Sequence, residues 1–174
     1  MVERRSIRKY TSEPIDAQHV KLIIEAALMA PSSKSSRPWS FIMVEDPEML
    51  QRLSECRTMG SSPIAKCSLA IVVAADSSVS DPWVEDASIA AFAMQLQAAD
   101  LGLGSCWIQV RNRYGVDNIP AEEYIQSLLH IPETINVECI IAIGHKGEDK
   151  RPQAVDRLQW EKVMIGEWRA DEQA

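Results

Sequence analysis

Residues 82–104 read PWVEDASIAAFAMQLQAADLGLG and predict a long helix that is apolar on nearly all sides. We expect this helix to run from Pro82 to Leu101 and to stop at the following Gly-Leu-Gly. One stripe at helical spacing is expected to face the core: Ile89, Phe92, Ala93, Leu96 and Ala98 or Ala99. Ala90, Ala91 and Met94 leave little polar surface opposite that stripe. Such a helix belongs in the middle of a structure, either in the core of one subunit or at the contact between two.

Strands and helices alternate along the rest of the chain, which predicts an α/β or α+β fold in a single domain over residues 1–174. The predicted strands are 39–44, 69–75, 105–110 and 137–143. The strand at 69–75 is continuously apolar, so we expect it to be covered on both faces. Further helices are predicted from Asp16 to about Met29, from Pro47 to about Arg57 and from Pro120 to His130. The glycine patterns typical of Rossmann and P-loop nucleotide sites follow none of these strands.

Composition and charge narrow the class of protein. The 174 residues include 25 acidic and 18 basic side chains, a net charge of −7, which argues against a general nucleic-acid binder or a cationic membrane-surface protein. The longest apolar run, Leu69 to Ala75, is far shorter than the ~20 residues that a bilayer requires. The first residues lack the apolar segment of a signal peptide, so a cytoplasmic protein without a membrane or nucleic-acid partner is predicted.

The four cysteines stand alone in the sequence. Cys56, Cys67, Cys106 and Cys139 form no CxxC pair and none of the cysteine/histidine spacings of a zinc site. Three of them lie in apolar surroundings, which predicts buried, reduced thiols. We therefore expect neither a metal site nor a catalytic cysteine.

Three segments carry more polar chemistry than a purely structural role needs. Residues 4–8, RRSIR, place three guanidinium groups and a hydroxyl together in an acidic protein, which suits an anion such as phosphate. Residues 30–39, APSSKSSRPW, hold several short hydroxyl side chains between two prolines. Residues 102–109 and 143–146 lie at predicted strand ends, where ligands bind in many α/β sheets. Each segment alone also fits an ordinary role as a solvated arm, a connecting loop or a turn.

Taken together and in this order, the segments resemble the nitroreductase family, the FMN-dependent NAD(P)H oxidoreductases. The resemblance runs from about Arg4 to Trp160. It rests on RRSIRKY (4–10), APSSKSSRPWSF (30–41), LQAADLGLGSCWI (96–108) and IIAIGHKGEDKRP (140–152). It implies a three-layer α+β fold, in which helices wrap a mixed central sheet, and a homodimer whose seam contains the long apolar helix. Two FMN molecules would sit at the subunit interface.

The resemblance also implies which residues would contact FMN. Residues for the phosphate and ribityl chain would be Arg4, Arg5, Ser6 and Arg8. Residues reaching over the flavin from the partner subunit would be Pro31, Ser32, Ser33 and Ser35. Residues lining the ring near the edge that carries N5 would be Trp107, Ile108 and Gln109. The phosphate end would be closed by Gly144, His145 and either Lys150 or Arg151.

No protein side chain is assigned as catalytic, because the flavin performs the redox chemistry in such enzymes. NADH or NADPH would deliver a hydride to flavin N5, and a small acceptor such as a nitroaromatic compound or a quinone would then be reduced on the same face, with ping-pong kinetics. The chain departs from the family pattern at Ser35, Arg37 and the pair Gln109-Val110, and it is short for the family, which favours an open site. Two alternatives remain: a specialised flavin enzyme such as a dehalogenase, and an FMN-binding storage or regulatory dimer.

Overall fold

A four-stranded antiparallel sheet forms the centre of the protein, seen here in a computed structural model that describes residues 1–168. The strands are β1 (Trp39–Val44), β2 (Leu69–Asp76), β3 (Gly104–Gln109) and β4 (Ile135–Gly144). Their order across the sheet is β1-β2-β4-β3, so β1 and β3 are the edges. All three strand pairs are antiparallel, and parallel pairing occurs at one isolated bridge, between Ser6 and Ser105.

Helices cover both faces of the sheet and complete a three-layer α+β fold, as predicted. The four strands pair antiparallel, whereas the resemblance implied a mixed sheet. The helices are α1 (Ala17–Leu28), α2 (Pro47–Leu53), α3 (Trp83–Asp100) and α4 (Ala121–Leu129). One hydrophobic cluster joins the sheet to α1 and α3, and a second joins its other face to α2 and α4. Strand β2 is buried on both faces, as its continuous apolar sequence predicts.

The predicted orientation of the long helix was wrong. The residues of α3 that face the sheet are mainly small: Ala87, Ala90, Ala91, Met94 and Ala98. Ile89 and Phe92, predicted to be core, are 44% and 38% exposed, while Ala93 and Leu96 are half-buried. Small side chains let the helix lie close to the sheet, which turns the larger side chains outward. An apolar outer face on this helix is consistent with the predicted subunit seam.

The other boundaries fall close to the predictions. The second helix ends earlier than expected, at Leu53, and continues as a 3-10 turn over Ser54–Cys56. Gly102, with a φ of +79°, supplies the left-handed residue that ends α3. All four cysteines are buried and unpaired, as predicted.

Replacement of Met94 by alanine tests the inward face of α3. Met94 is fully buried, so the variant Met94→Ala should lower the free energy of unfolding by about 2–5 kcal/mol in chemical denaturation. The matched control is Met59→Ala, because Met59 is 79% exposed and its loss should change stability by less than about 0.5 kcal/mol. Equal effects of the two substitutions would contradict the packing described here.

Candidate functional site

The N-terminal arm, residues 4–11, docks on the edge of the sheet where β3 begins and β4 ends. The Ile7 N–H donates to the Ser105 carbonyl at 2.9 Å, next to the parallel bridge between Ser6 and Ser105. Ile7 is buried, and a Cβ on Gly104 would lie only 2.8 Å from the Ile7 Cβ. Glycine is therefore required at position 104 for the arm to approach the strand this closely.

A second set of contacts fixes the end of the arm against the segment after β4. The Thr11 N–H donates to the His145 carbonyl at 3.0 Å, and Tyr10 forms an antiparallel bridge with Lys146. A Cβ on Gly144 would lie 2.9 Å from the Tyr10 ring, so this glycine makes room for Tyr10. The His145 ring lies beside Glu13, with its Nδ1 3.9 Å from a carboxylate oxygen.

The arm contacts the segment after β4, and the two carry predicted phosphate-binding residues from both ends of the sequence. The Arg5 guanidinium donates to the Arg151 carbonyl. The Arg8 N–H donates to Glu148 Oε1 at 2.7 Å, and Lys150 Nζ lies 3.2 Å from the other oxygen of the same carboxylate. The hydrogen bond from the Arg8 N–H, assisted by Lys150, lowers the pKa of Glu148. Glu148 was not identified from the sequence; the only local signal is an acidic residue just before Lys150 and Arg151.

Arg4 lies apart from this cluster, against the outer face of α3. Its guanidinium carbon is 6.0 Å from the centroid of the Phe92 ring, at the limit of a cation–π contact. Beside it is a surface cavity of about 620 Å³, bounded by the arm, α1 and the second half of α3. Arg4 therefore presents its charge where the apolar outer face of α3 meets the arm.

The Pro-Ser loop, residues 31–37, is held in a strained conformation. Lys34, Ser35 and Arg37 all have φ near +50°, a region that residues other than glycine seldom adopt. Such strain persists only where surrounding contacts impose it, and it is frequent at functional sites. Within the loop, the Arg37 N–H donates to the Ser32 hydroxyl oxygen at 2.9 Å. Pro31 and Ser35 are exposed, and Ser32 and Ser33 are half-buried.

The contact that fixes this loop comes from a buried carboxylate in the first turn of α3. Asp86 is 3% exposed. Its two oxygens accept from the Ser33 N–H and from the Ser80 hydroxyl, each at 2.7 Å. Asp86 was not identified from the sequence, in which it is one of two acidic residues at the start of an otherwise apolar helix.

Trp107 lies on the open edge of β3 between two covered positions. The arm covers the Ser105 carbonyl, and Arg57 Nη1 donates to the Gln109 carbonyl at 3.0 Å. Alternate residues of an edge strand direct their backbone N–H and C=O groups away from the sheet. Trp107 lies midway between Ser105 and Gln109, so its backbone groups point to the part of the edge that neither the arm nor Arg57 covers. Both Trp107 and Gln109 are half-buried. Ile108 differs from its prediction: its side chain is 1% exposed and packs in the core on the opposite face, so it cannot line a pocket beside Trp107.

The side chain of Gln109 links Trp107 to a buried carboxyl group. The Trp107 indole N–H donates to Gln109 Oε1 at 2.9 Å, and Gln109 Nε2 donates to Glu138 Oε1 at 3.0 Å. Glu138 is 3% exposed. Burial raises the pKa of its carboxyl group, against smaller lowering effects of the Gln109 hydrogen bond and the Arg111 charge. Glu138 was not identified from the sequence, in which it is the one charged residue inside an apolar strand.

The predicted site residues therefore form two groups within one subunit. The arm and the segment after β4 meet at one end of the sheet, and Arg4 of the arm lies against the second half of α3. The Pro-Ser loop lies at the first turn of α3, where Asp86 holds it. With a rise of 1.5 Å per residue, Asp86 lies about 9–20 Å along the helix from the residues that face Arg4.

Two negative observations apply to residues 1–168. No helix in this part of the chain is long and apolar enough to cross a membrane. Among the same residues, no group of three or more histidine, cysteine or acidic side chains is arranged to hold a metal ion.

Comparison with known proteins connects this arrangement to a family. The model of the nitroreductase family matches residues 1–76 and 64–145, which include the arm, the Pro-Ser loop and strand β3. The chain belongs to the nitroreductase family. This confirms the resemblance found in the sequence.

Two of the relatives match nearly the whole chain, and a third matches a short segment. An FMN-dependent nitroreductase from Clostridium difficile R20291 is 49% identical and superimposes with a TM-score of 0.94, over 95% of this chain and 96% of that one. A relative from Archaeoglobus fulgidus, 37% identical over 95% of this chain and 94% of its own length, carries the provisional name NADH dehydrogenase/NAD(P)H nitroreductase. Iodotyrosine deiodinase 1 of Rattus norvegicus is 42% identical, but over only 53 residues, 30% of this chain and 19% of its own.

The raised pKa of Glu138 leads to a prediction about stability and pH. A carboxyl group whose pKa is higher in the folded than in the unfolded chain destabilises the fold as pH rises through the folded value, and this cost is absent below the unfolded pKa of about 4.3. The neutral variant Glu138→Gln avoids the cost. Compared with wild type, the variant should therefore be more stable to unfolding near pH 8 than near pH 4. Urea denaturation at both pH values measures this difference in the free energy of unfolding.

The control for this experiment is Glu133→Gln. Glu133 is exposed, so the difference between this variant and wild type should stay nearly constant over the same pH range. A relative stability of Glu138→Gln that improved toward acid pH would contradict the assigned direction of the pKa shift.

Proposed function

We propose that the protein is an FMN-dependent oxidoreductase that passes electrons from NADH or NADPH to a small acceptor such as a nitroaromatic compound or a quinone. The proposal rests on one observation: an arginine-rich arm docks at the start of edge strand β3, and Trp107 lies on the uncovered part of the same edge. The similarity to an FMN-dependent nitroreductase at 49% identity over nearly the whole chain supports it. The redox chemistry, acceptance of a hydride at the flavin N5 and its delivery to the acceptor, is supplied by FMN when bound.

The cations around the arm fit the phosphate end of FMN. A phosphate with nearly two negative charges loses much hydration on binding, and several arginine and lysine donors offset this cost. Arg4, Arg5 and Arg8 would bind there, with the Ser6 hydroxyl and with Lys150 and Arg151. Glu148 keeps the Arg8 backbone and the Lys150 ammonium in fixed positions. Gly144 and His145 would contribute through the backbone, since the His145 ring lies beside Glu13.

The uncovered edge of β3 fits the flavin ring. A planar ring needs a wall that excludes water on one side and leaves the opposite face open to substrates. Trp107 and Gln109 would provide that wall next to N5, and Ile108 would contribute only backbone atoms. One open face used first by the nicotinamide and then by the acceptor implies ping-pong kinetics.

A homodimer would complete this site. In one subunit the Pro-Ser loop lies at the first turn of α3 and Arg4 lies against its second half. The flavin that the loop reaches would therefore be bound mainly by the partner, and the loop residues that reach it would be Pro31, Ser32, Ser33 and Ser35. Two exposed apolar regions favour such an assembly. One is the outer face of α3 with Ile89 and Phe92. The other is the C-terminal segment, where Trp160, Val163, Ile165 and Trp168 are 60–90% exposed.

The alternatives receive less support. The similarity to iodotyrosine deiodinase 1 covers 53 residues, less than a third of the chain, so a dehalogenase activity has only a short segment in its favour. A storage or regulatory dimer would need the same contacts to the FMN phosphate. It would differ from the proposed enzyme in that it does not turn over substrate. A cytoplasmic location remains part of the proposal.

An absorption spectrum of the purified protein tests the proposed function. The protein should be yellow, should bleach anaerobically with NADH or NADPH, and should regain its colour when a nitroaromatic compound or a quinone is added. Bleaching by one nucleotide would identify the donor. A yellow protein that neither nucleotide bleaches would contradict the oxidoreductase assignment and favour the storage class. A colourless protein that FMN does not reconstitute would contradict the cofactor.

The double variant Arg4→Ala/Arg8→Ala tests the phosphate-binding role of the arm. Loss of two charge-assisted contacts should raise the dissociation constant of FMN at least about 100-fold, measured by fluorescence titration of the apoprotein, with little change in thermal stability. The control is Arg113→Ala, because Arg113 is exposed and its guanidinium bonds the neighbouring Asn112 carbonyl. Retention of FMN at wild-type stoichiometry through dialysis by the double variant would show that the phosphate binds elsewhere.

A further inference from the structure

Strand β4 contains a β-bulge at Glu138. Val73 pairs with Cys139 and Ala74 with Val137, so Glu138 is an extra residue without a partner on β2. In a regular strand, residues two apart face the same side of the sheet. At the bulge this alternation shifts by one residue, so Val137 and Cys139 lie in hydrophobic clusters on opposite faces. Bulges re-aim side chains and are frequent beside active sites. Here the bulge brings the Glu138 side chain to the end of β3.

The bulge is tied to β3 by its backbone as well. The Glu138 carbonyl accepts from the Val110 and Arg111 N–H groups, each at 3.1 Å, and from Gln109 Nε2 at 3.2 Å. The position of the Glu138 carboxyl group relative to Gln109 is therefore fixed by the main chain. A substitution of the side chain leaves these backbone bonds in place.

The chemistry of its neighbours determines which way the Gln109 amide points. An indole N–H can only donate, so the amide oxygen must face Trp107. The amide nitrogen then faces three acceptors, of which Glu138 Oε1 is the nearest at 3.0 Å, ahead of the carbonyls of Glu138 and Arg111. Removal of the carboxyl acceptor takes away the shortest bond that holds this orientation.

The Glu138 carboxyl group does not suit a purely structural role. Its second oxygen, Oε2, is buried without a hydrogen-bond partner among the described residues, and a half-satisfied buried carboxyl group destabilises a fold. Arg111, the nearby cation, has its guanidinium 5.8 Å from the centroid of the Trp83 ring. What the carboxyl group does achieve is the orientation of Gln109.

We infer that Glu138 is a positioning residue that acts through Gln109 to hold the Trp107 indole at the flavin-binding edge of β3. This inference rests on the proposed function only for the flavin; the orientation of the indole can be tested without it. In the free protein the indole N–H stays bonded to Gln109, and the ring keeps the orientation in which it meets the cofactor.

Hydrogen exchange of the Trp107 indole tests the first half of the inference. In nitrogen-15 NMR spectra of the full-length apoprotein, the indole resonance that disappears in Trp107→Phe is that of Trp107. Its exchange rate should rise at least about tenfold in Glu138→Met, the factor expected when a hydrogen bond to a charged group is lost. Glu138→Gln, which keeps an acceptor of the same length, should exchange within about twofold of wild type. Gln109→Met, a second break in the same chain of hydrogen bonds, should behave like Glu138→Met.

The amide of Val72, in the fully buried strand β2, serves as the internal reference. A merely structural role for Glu138 would speed exchange at Val72 and at the indole by the same factor, and this result would overturn the inference. Unchanged indole protection in Glu138→Met, with protection lost in Gln109→Met, would overturn it as well.

FMN affinity tests the second half. The dissociation constant of FMN should rise about tenfold in Glu138→Met and remain near the wild-type value in Glu138→Gln. If indole protection changes as expected while all variants bind FMN equally, Trp107 does not face the flavin, and that part of the inference is overturned. If no variant, including wild type, binds FMN, the proposed function fails, whereas the exchange result still decides how the indole is held.

Discussion

The close approach of α3 to the sheet is the packing contact on which the other features depend. Four buried alanines, at positions 87, 90, 91 and 98, let the helix lie against the sheet without large side chains between them. Alanine side chains bury little apolar area. Because dispersion attraction falls steeply with separation, the close approach of helix and sheet offsets this loss and stabilises the packing of α3 on the sheet. The same choice of residues directs Ile89 and Phe92 away from the sheet.

With its inner face fixed, α3 serves as the reference for the functional groups around it. Its first turn supplies Asp86 to the Pro-Ser loop, and its middle supplies Gln95, which donates to the Ser105 hydroxyl beside the docked arm. Between these two positions, Phe92 meets Arg4. A single rigid helix therefore sets the spacing, within one subunit, between the strained loop and Arg4.

Much of the fold could be predicted from the sequence, because continuous apolar runs and amphipathic stripes have a clear period. The facing of α3 could not, since a helix that is apolar on all sides has no polar face to fix its rotation. The bulge at Glu138 was invisible for a related reason: in a strand buried on both faces, a slip of one residue leaves the apolar pattern unchanged. Of the site, the arm and the loop were identified from their composition and order. Asp86, Glu138 and Glu148 act through single long-range contacts, which no local pattern reports.

The burial of all four cysteines has a consequence for the chemical durability of the protein. Burial raises the pKa of the Cys56 thiol to about 11 and that of Cys67 to about 12, so at neutral pH only about one molecule in 10⁴ or fewer carries a thiolate at either position. Quinones and reactive oxygen species attack thiolates far more readily than thiols. The four cysteine thiols are thus out of reach of such reagents, and those of Cys56 and Cys67 are also held in the unreactive protonated form.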